Sequence, residues 1–418
     1  MTKRLILAFV FLSWHLVACS NGDSGISSGL PDKPSAEEDS PGTETISEEM
    51  RVKITGEDLY ISAKLDAKTD ILYWFKKCMF NELFTFYRVG TIDNNMPAPA
   101  TLPDASPTSL LNLAYSDNIG PFNITGYGWC GGNHPYLDEV TQTARNIGYR
   151  IYIDGKEIKT DLSTLTKEIK IEVINEIMNP SKADTSSGKT LLNEILCIET
   201  VNYSIYRNNI QVLVTHEFQN ESPVTVQMYY GMQSMFDKET HTLTANGKYV
   251  DWTVQKDVST FTKKEYPSFR RFIEKSANVY QSSYLFADGL GNHEEISDDD
   301  IIFIGNSSNK TYHKIIADGE HKKGDIIHWS GVYTWFKSPV SDDDDLLCYE
   351  GVIDNKKVLF IDCKKNVDRT IQLPVDYTKK SFTIIEKSKS ITITGNKVTA
   401  KGLRIVSDGS GSCVITFD

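Results

Sequence analysis

The residues best suited to chemistry in this sequence lie between Gly126 and Pro135, which read Gly-Tyr-Gly-Trp-Cys-Gly-Gly-Asn-His-Pro. Four glycines let this backbone enter conformations that other residues resist. Among them, Trp129 can stack on a flat ligand, Asn133 can donate and accept hydrogen bonds, and His134 can exchange protons near neutral pH. Loops with such groups often carry a site, although a Gly-rich connection between two strands has the same composition.

Two further polar groups lie on segments whose alternation predicts strands. His216 shares its parity with Val212 and Val214, so its ring is expected to point into the same layer. Tyr230 lies where a later strand passes into a glycine. Imidazole and phenol groups can both act as acids and bases. The competing interpretation of His216 is a half-buried strand residue whose ring is simply hydrogen-bonded.

Together these groups suggest one reaction, the β-elimination of an acidic polysaccharide. A base would remove the proton next to a uronate carboxylate while polar side chains neutralise that carboxylate. The residues assigned to proton transfer are His134, His216 and Tyr230. The residues assigned to substrate binding are Asn133, Arg145, Trp129, Tyr136, Trp329 and Trp335.

An aromatic strand is predicted from His328 to Phe336. Its period of two places Trp329, Tyr333 and Trp335 on one face. Such a face can stack on sugar rings or fill a core, and core is the commoner use of aromatic residues.

Other chemistries find less support. Glycoside hydrolysis uses two carboxylates about 5 to 10 Å apart, and no spacing singles out a pair from the available candidates, which are Asp117, Asp138, Glu139 and Glu217. The G-x-S-x-G pattern of serine hydrolases is absent. The aspartates of 342–345 lack the spaced ligands of a calcium loop, which favours a solvated acidic loop. The sequence predicts no metal site and identifies no cofactor.

After residue 50 the chain is typical of short strands separated by polar turns. Asn146 to Ile153 alternates cleanly and ends at Asp154-Gly155, a strong hairpin signal. We predict a mainly β fold, a large antiparallel sandwich of the supersandwich kind with a smaller C-terminal β region. The sandwich would occupy 51–260, and 261–418 would continue it or form a second β domain. One short helix is predicted between Pro107 and Ala114.

The N-terminus indicates export. Lys3 and Arg4 precede a short apolar run, which is typical of a secretory signal over 1–18 and too short for a spanning helix of about 20 residues. Residues 19–50 are rich in Ser, Gly, Pro, Asp and Glu, which predicts a disordered acidic tether. The net charge of −12 gives no electrostatic footprint for nucleic acid, which would demand a basic surface. Beyond Cys19, no C-x-x-C pair occurs, and free buried thiols are expected.

Two resemblances extend this interpretation. Leu16-Val17-Ala18-Cys19 resembles the lipobox of bacterial lipoprotein precursors, which implies cleavage before Cys19, lipid on its thiol and, with Ser20 following, an outer-membrane location. With the tether, it resembles the surface lipoproteins that Bacteroidetes-type bacteria use to handle glycans. The β-rich body with Asn133-His134-Pro135-Tyr136 resembles galactose-mutarotase-like sandwiches, found in sugar epimerases and polysaccharide lyases, but without the helical toroid of many lyases.

Two hypotheses about function remain open. The first is a glycan-processing enzyme, a lyase before a hydrolase, whose proton carriers and carboxylate ligands share one cleft. The second is a non-catalytic glycan-binding lipoprotein that stacks sugars on Trp129, Trp329 and Trp335. In both cases the partner is a polysaccharide or oligosaccharide, and the lipid anchor is the only contact with the membrane.

Overall fold

The computed structural model describes residues 46–101, 120–235, 240–243, 249–251, 259–261, 271–276, 279–290, 302–305 and 310–418. They belong to one compact unit, Glu44–Asp418. The signal segment, the lipobox, most of the tether and the helix expected between Pro107 and Ala114 lie outside the described residues. No helix in the described ranges combines the length and apolar character of a membrane span.

Strands account for almost all of the regular structure. The first fifteen are β1 (Met50–Thr55), β2 (Asp58–Asp66), β3 (Thr69–Cys78), β4 (Leu83–Asp93), β5 (Pro121–Ile124), β6 (Gly128–Gly131), β7 (Ala144–Ile153), β8 (Lys156–Ile158), β9 (Leu162–Thr166), β10 (Ile169–Met178), β11 (Ile195–Tyr206), β12 (Asn209–Phe218), β13 (Val224–Met235), β14 (Thr240–Leu243) and β15 (Tyr249–Asp251).

The later strands follow the same short-strand pattern. Among the described residues, two single turns of 3-10 helix occur, Pro180–Lys182 and Val375–Tyr377. These strands are β16 (Ser259–Phe261), β17 (Arg271–Ser276), β18 (Val279–Leu290), β19 (Ile302–Gly305), β20 (Lys310–His321), β21 (Ile326–Phe336), β22 (Ser341–Asp342), β23 (Leu346–Ile353), β24 (Lys356–Cys363), β25 (Val367–Ile371), β26 (Phe382–Lys387), β27 (Ile391–Ile393), β28 (Leu403–Ser407) and β29 (Gly411–Phe417).

The described strands form five antiparallel sheets. A ten-stranded sheet has the order β15-β14-β17-β18-β21-β12-β11-β10-β7-β8. An N-terminal five-stranded sheet has the order β4-β3-β2-β1-β9, and a six-stranded sheet the order β16-β19-β20-β13-β5-β6. The C-terminal region adds a five-stranded sheet, β22-β23-β24-β29-β26, and a three-stranded sheet, β25-β28-β27. Strands from both sides of residue 260 therefore share the ten-stranded sheet.

The largest apolar core lies on one face of the ten-stranded sheet. The N-terminal five-stranded sheet and the six-stranded sheet both contribute to it. Phe75 of β3 meets Tyr203 of β11 edge to face, and Phe122 of β5 meets Phe218 of β12 in the same way. The alternation of strand side chains lets these layers bury one face each.

The opposite face of the ten-stranded sheet packs on the C-terminal five-stranded sheet. Phe336 of β21 stacks on Tyr349 of β23 with ring centroids 4.4 Å apart, and Tyr349 stacks on Phe360 of β24. A separate C-terminal core joins the last two sheets. The prediction of a mainly β protein, with a large antiparallel sandwich and a smaller C-terminal β region, is confirmed.

Local turn chemistry explains the hairpins. Asp154 and Gly155 both have positive φ, 46° and 77°, as a two-residue type I′ turn requires, so this predicted hairpin forms. The turn between β11 and β12 consists of Arg207 and Asn208, because Arg207 takes the positive φ and Asn209 already pairs with Tyr206. All six cysteines of the described residues are free and buried, as expected.

Candidate functional site

Three of the residues proposed for the site meet on the outer face of the six-stranded sheet. Trp129 lies on β6, His134 follows that strand, and Tyr230 lies on β13. The ring centroids of Trp129 and His134 are 5.3 Å apart, and those of Trp129 and Tyr230 are 5.7 Å apart. In each pair the two ring planes make an angle of 25°, and all three side chains are partly exposed. We call these three residues the Trp129 platform.

The loop that carries His134 is braced from below by buried polar groups. Asn81 donates from Nδ2 to the carbonyl oxygens of Gly132 and His134, at 2.8 and 3.1 Å. Thr143 Oγ1 accepts from the Gly131 amide and donates to the His134 carbonyl. Because Asn81 and Thr143 are buried, these bonds hold the loop in one conformation.

Asn133 takes part in the same bracing. Its Oδ1 accepts a hydrogen bond of 2.8 Å from the amide of Phe80. The predicted role of Asn133 as a carboxylate ligand therefore competes with a contact that shapes the loop.

The backbone at Gly120 packs closely against the backbone of Tyr230. Gly120 has φ of +84°, and a Cβ on it would lie 1.4 Å from the carbonyl oxygen of Tyr230. Only glycine fits at such a contact, so position 120 is committed to packing on β13. This contact fixes the backbone at Tyr230, whose ring lies against Trp129.

Polar residues surround the platform on the same sheet face. Asn123 of β5 is the cross-strand partner of Trp129, and Lys314 of β20 is the partner of Tyr230. Cross-strand partners share a face and lie about 5 Å apart. Both side chains are partly exposed, so an amide-bearing and an ammonium-bearing residue neighbour the stacked rings in the strand register.

Other predicted site residues lie elsewhere. Arg145, on β7, is exposed and its Nε pairs with Glu176 on β10. Tyr136 is partly exposed in the loop after the platform, where its amide donates to the Thr141 carbonyl. No contact between Arg145 and the platform is seen.

His216 does not reach any surface. Its side chain and that of Glu199 are both 0% exposed, and its Nε2 lies 3.0 Å from Glu199 Oε2. The rings of Phe122 and Tyr229 meet it edge to face, each at 4.8 Å. The assignment of His216 to proton transfer on a polysaccharide is therefore corrected, because no substrate can touch a ring enclosed in the core.

Trp329 and Trp335 are also corrected. Both are 0% exposed, so neither can stack on a sugar. Trp329 Nε1 donates to the Tyr229 hydroxyl at 3.1 Å, and Trp335 Nε1 donates to Gln281 Oε1 at 3.2 Å. Burial raises the pKa of Tyr229 well above its ordinary value, which keeps the phenol neutral in this core network.

No metal centre is found in the described part of the chain, where no group of three or more His, Cys, Asp or Glu residues is placed to hold an ion. The acidic run at 342–345 is instead compensated by cations. Lys364 Nζ lies 3.0 Å from Asp342 Oδ1, and Arg369 lies 2.7 Å from Asp343 Oδ2.

No protein-family model matches the chain, and no curated protein matches it. Solved structures with a similar arrangement of strands include carbohydrate-active proteins. The GH36 α-galactosidase AgaB from Geobacillus stearothermophilus has a TM-score of 0.37 and 8% identity, over 69% of this chain and 41% of that one. A polysaccharide lyase has a TM-score of 0.26 and 6% identity, over 82% of this chain and 45% of that one.

A third similar structure is the Slr1438 protein from Synechocystis sp. PCC 6803, with a TM-score of 0.33 and 7% identity, over 68% of this chain and 99% of that one. The chain thus spans less than half the length of the galactosidase and the lyase. At these TM-scores and identities the likeness carries no argument about activity, which has to come from the site itself.

Sequence reasoning missed a second group of partly exposed aromatic side chains. Trp74 of β3 contacts Tyr60 of β2 on one side and Tyr87 of β4 on the other. The aromatic content of 70–89 was visible in the sequence, but Trp74 lies between Tyr73 and Phe75, and both of those are buried. Composition alone does not tell which of three adjacent aromatic residues faces solvent.

Proposed function

We propose that this protein is a lipid-anchored surface lipoprotein that binds glycans through the Trp129 platform. The observation that carries the proposal is the stacking of His134 and Tyr230 against Trp129 on an outer sheet face, with both inclinations at 25°. Exposed aromatic groups rimmed by polar residues mark binding surfaces in soluble proteins.

The chemistry of the platform suits a sugar. The apolar C–H face of a pyranose can lie on the negative face of an indole or phenol ring, while its hydroxyls need donors and acceptors at the rim. Asn123 and Lys314 supply such groups on the same sheet face. Because the backbone of the loop and of Tyr230 is braced, binding would cost little backbone ordering entropy.

Replacing Trp129 by alanine is expected to weaken glycan binding about 10- to 100-fold, as for a central aromatic residue of a binding site. The measurement is binding to an array of neutral and uronate-containing oligosaccharides, followed by titration calorimetry on the best neutral ligand. Tyr152→Ala serves as the control, because Tyr152 is a partly exposed aromatic residue on β7 outside the platform. Wild-type protein that binds no glycan, or a Trp129 variant with unchanged affinity, would contradict the proposal.

A second candidate function is polysaccharide lyase activity at the same platform. His134 and Tyr230 both contact one indole, so two groups able to carry protons lie at one exposed place. One would take the proton next to the uronate carboxylate, the C–O bond to the leaving sugar would break, and the other would protonate the leaving oxygen. Lys314 replaces Arg145 as the cation beside these rings.

The lyase candidate is tested on the same uronate polymers by the ultraviolet absorbance of unsaturated products. Binding without any such products would leave the first proposal standing and remove the second. Release of unsaturated products that His134→Ala abolishes would favour the enzyme.

The anchor is a separate part of the proposal. Cys19→Ser is expected to move the protein from the membrane fraction to the soluble fraction, because the lipid-bearing thiol would be lost. Cell fractionation measures where the protein is located, and the intensity of palmitate labelling measures whether it carries lipid. Ser20→Ala is the matched control and should remain lipidated. A Cys19 variant that is exported, has lost its signal segment and still sediments with membranes would refute the anchor.

A further inference from the structure

The outer face of the N-terminal five-stranded sheet is divided into a covered half and a partly exposed half. Residues 94–101 cross the covered half, where Ser62 Oγ donates to the Ala100 carbonyl at 2.6 Å and Arg51 Nε donates to the Pro99 carbonyl at 3.3 Å. Leu72 and Ile92 are buried beneath this crossing segment. The remaining half carries partly exposed side chains of β1 to β4.

Three aromatic rings form a continuous group on the exposed half. The Tyr60 and Trp74 rings are stacked, with centroids 5.3 Å apart and an inclination of 28°. Tyr87 meets Trp74 at 5.0 Å and 87°. Trp74 Nε1 donates to Asp58 Oδ1 at 2.8 Å, which fixes the orientation of the indole. We call Tyr60, Trp74 and Tyr87 the Trp74 platform.

A β-bulge brings Tyr87 into this group. Trp74 pairs with Arg88 and Phe75 pairs with Phe86, so Tyr87 is an extra residue on β4 without a partner in the ladder. A bulge re-aims side chains and is common next to functional sites. Here it places Tyr87 and Arg88 in contact with each other on a strand that would otherwise send them to opposite faces.

Cations accompany the rings. Lys76 Nζ lies 4.4 Å from the Trp74 ring centroid and 4.2 Å from that of Tyr87. The Arg88 guanidinium carbon lies 4.9 Å from the Tyr87 centroid, and Lys53 is the cross-strand partner of Tyr60. The chain as a whole has a net charge of −12, so three cations and one carboxylate, Asp58, make this face an electropositive exception.

We propose that the Trp74 platform is a second glycan-binding site, selective for sugars that carry a carboxylate or sulfate group. The rings would stack on the sugar while Lys76 and Arg88, with Lys53 at the edge, pair with its anionic groups. Charge complementarity favours this occupant over a neutral glycan, because a neutral sugar has no anionic group to pair with the three cations. The inference rests on the proposed glycan-binding function and adds a site and a ligand class to it.

The test compares polymers that differ in charge alone: polygalacturonate with its fully methyl-esterified form, and dextran sulfate with dextran. Affinity electrophoresis and calorimetry are expected to show that at least one of the two charged polymers binds at least tenfold more tightly than its neutral counterpart. Added salt should weaken the binding of that charged polymer. Trp74→Ala and Lys76→Gln should each abolish this preference. Trp129→Ala should keep it while weakening the binding of neutral glycans.

Lys77→Gln is the matched control, because Lys77 neighbours Lys76 but pairs with Glu57 at 2.9 Å. It should retain the preference for charged polymers, and thermal unfolding should show every variant folded. Binding of neutral glycans without any charge preference overturns this inference and leaves the proposed function intact. A charge preference that survives Lys76→Gln, or that disappears with Trp129→Ala, also overturns it. Failure to bind any glycan removes both proposals.

Discussion

Replacing His216 by phenylalanine is expected to lower the free energy of unfolding by about 3 to 5 kcal/mol, because breaking a buried pair leaves one polar partner enclosed without compensation. Glu199 would keep the hydrogen bond of 2.9 Å from Asn175 Nδ2 but lose the ring nitrogen that lies 3.0 Å from its other oxygen. Phenylalanine preserves an aromatic ring against Phe122 and Tyr229, so the loss reports the polar contact rather than a cavity.

A double variant, His216→Phe with Glu199→Gln, provides the control. Glutamine can still accept from Asn175 at Oε1 and carries no charge, but its amide nitrogen would face the phenylalanine without an acceptor, so only part of the lost stability should return. His216 Nδ1 is a buried atom without a hydrogen-bond partner in the described structure, and its removal should help the double variant further. Denaturant unfolding measures both free energies.

The same variants separate a structural role from a catalytic one. Glycan binding or cleavage per folded molecule should not change in His216→Phe, since this ring is remote from solvent. A variant of unchanged stability that loses activity would contradict the placement of His216 in the core and restore its assignment to proton transfer.

Local patterns in the sequence predict most of the fold. The Asp154-Gly155 hairpin forms because two residues suffice to set a type I′ turn. The parity of His216 with Val212 and Val214 correctly predicts that it points into the core, since that depends only on the strand period. Its partners could not be predicted in this way, because Glu199 and Asn175 come from two other strands.

The site was harder to predict because exposure depends on layers that are distant in sequence. Period two correctly places Trp329 and Trp335 on one face, but it does not say that Tyr229, 100 residues away, helps to cover that face. The pairing of Trp129 with Tyr230 likewise depends on β5 lying between β6 and β13. The Trp74 platform depends on a β-bulge at Tyr87, and no residue type in β4 predicts a bulge there.

The second large effect is expected from a carboxyl group buried between the ten-stranded sheet and the C-terminal five-stranded sheet. Asp362 of β24 pairs with Arg271 of β17, and the two side chains are 1% and 2% exposed. Burial raises the pKa of Asp362 to about 7, although Arg271 and Lys364 act in the opposite direction. Its pKa in the unfolded chain is about 3.9.

This difference in pKa fixes how stability changes with pH. Below about pH 4, Asp362 is protonated in both the folded and the unfolded state. The folded state binds this proton more tightly, so its contribution to the free energy of unfolding is fully present there. Between about pH 4 and pH 7 only the folded state holds that proton, so the free energy of unfolding falls steadily as the pH rises. The contribution is lost once the pH has risen through the folded pKa, after a total fall approaching about 4 kcal/mol.

Asp362→Asn should therefore flatten the stability profile over this range. The quantity to measure is the free energy of unfolding of wild type minus that of Asp362→Asn, from denaturant titrations between pH 4 and pH 8. Asp343→Asn is the matched control, because hydrogen bonds from the Asp345 amide and from Arg369 hold the pKa of Asp343 at about 2 despite partial burial. Its difference from wild type should stay level above about pH 5, where Asp343 is ionised in both states. A wild-type advantage that grows with pH would mean that Arg271 outweighs burial and keeps Asp362 ionised in the folded protein.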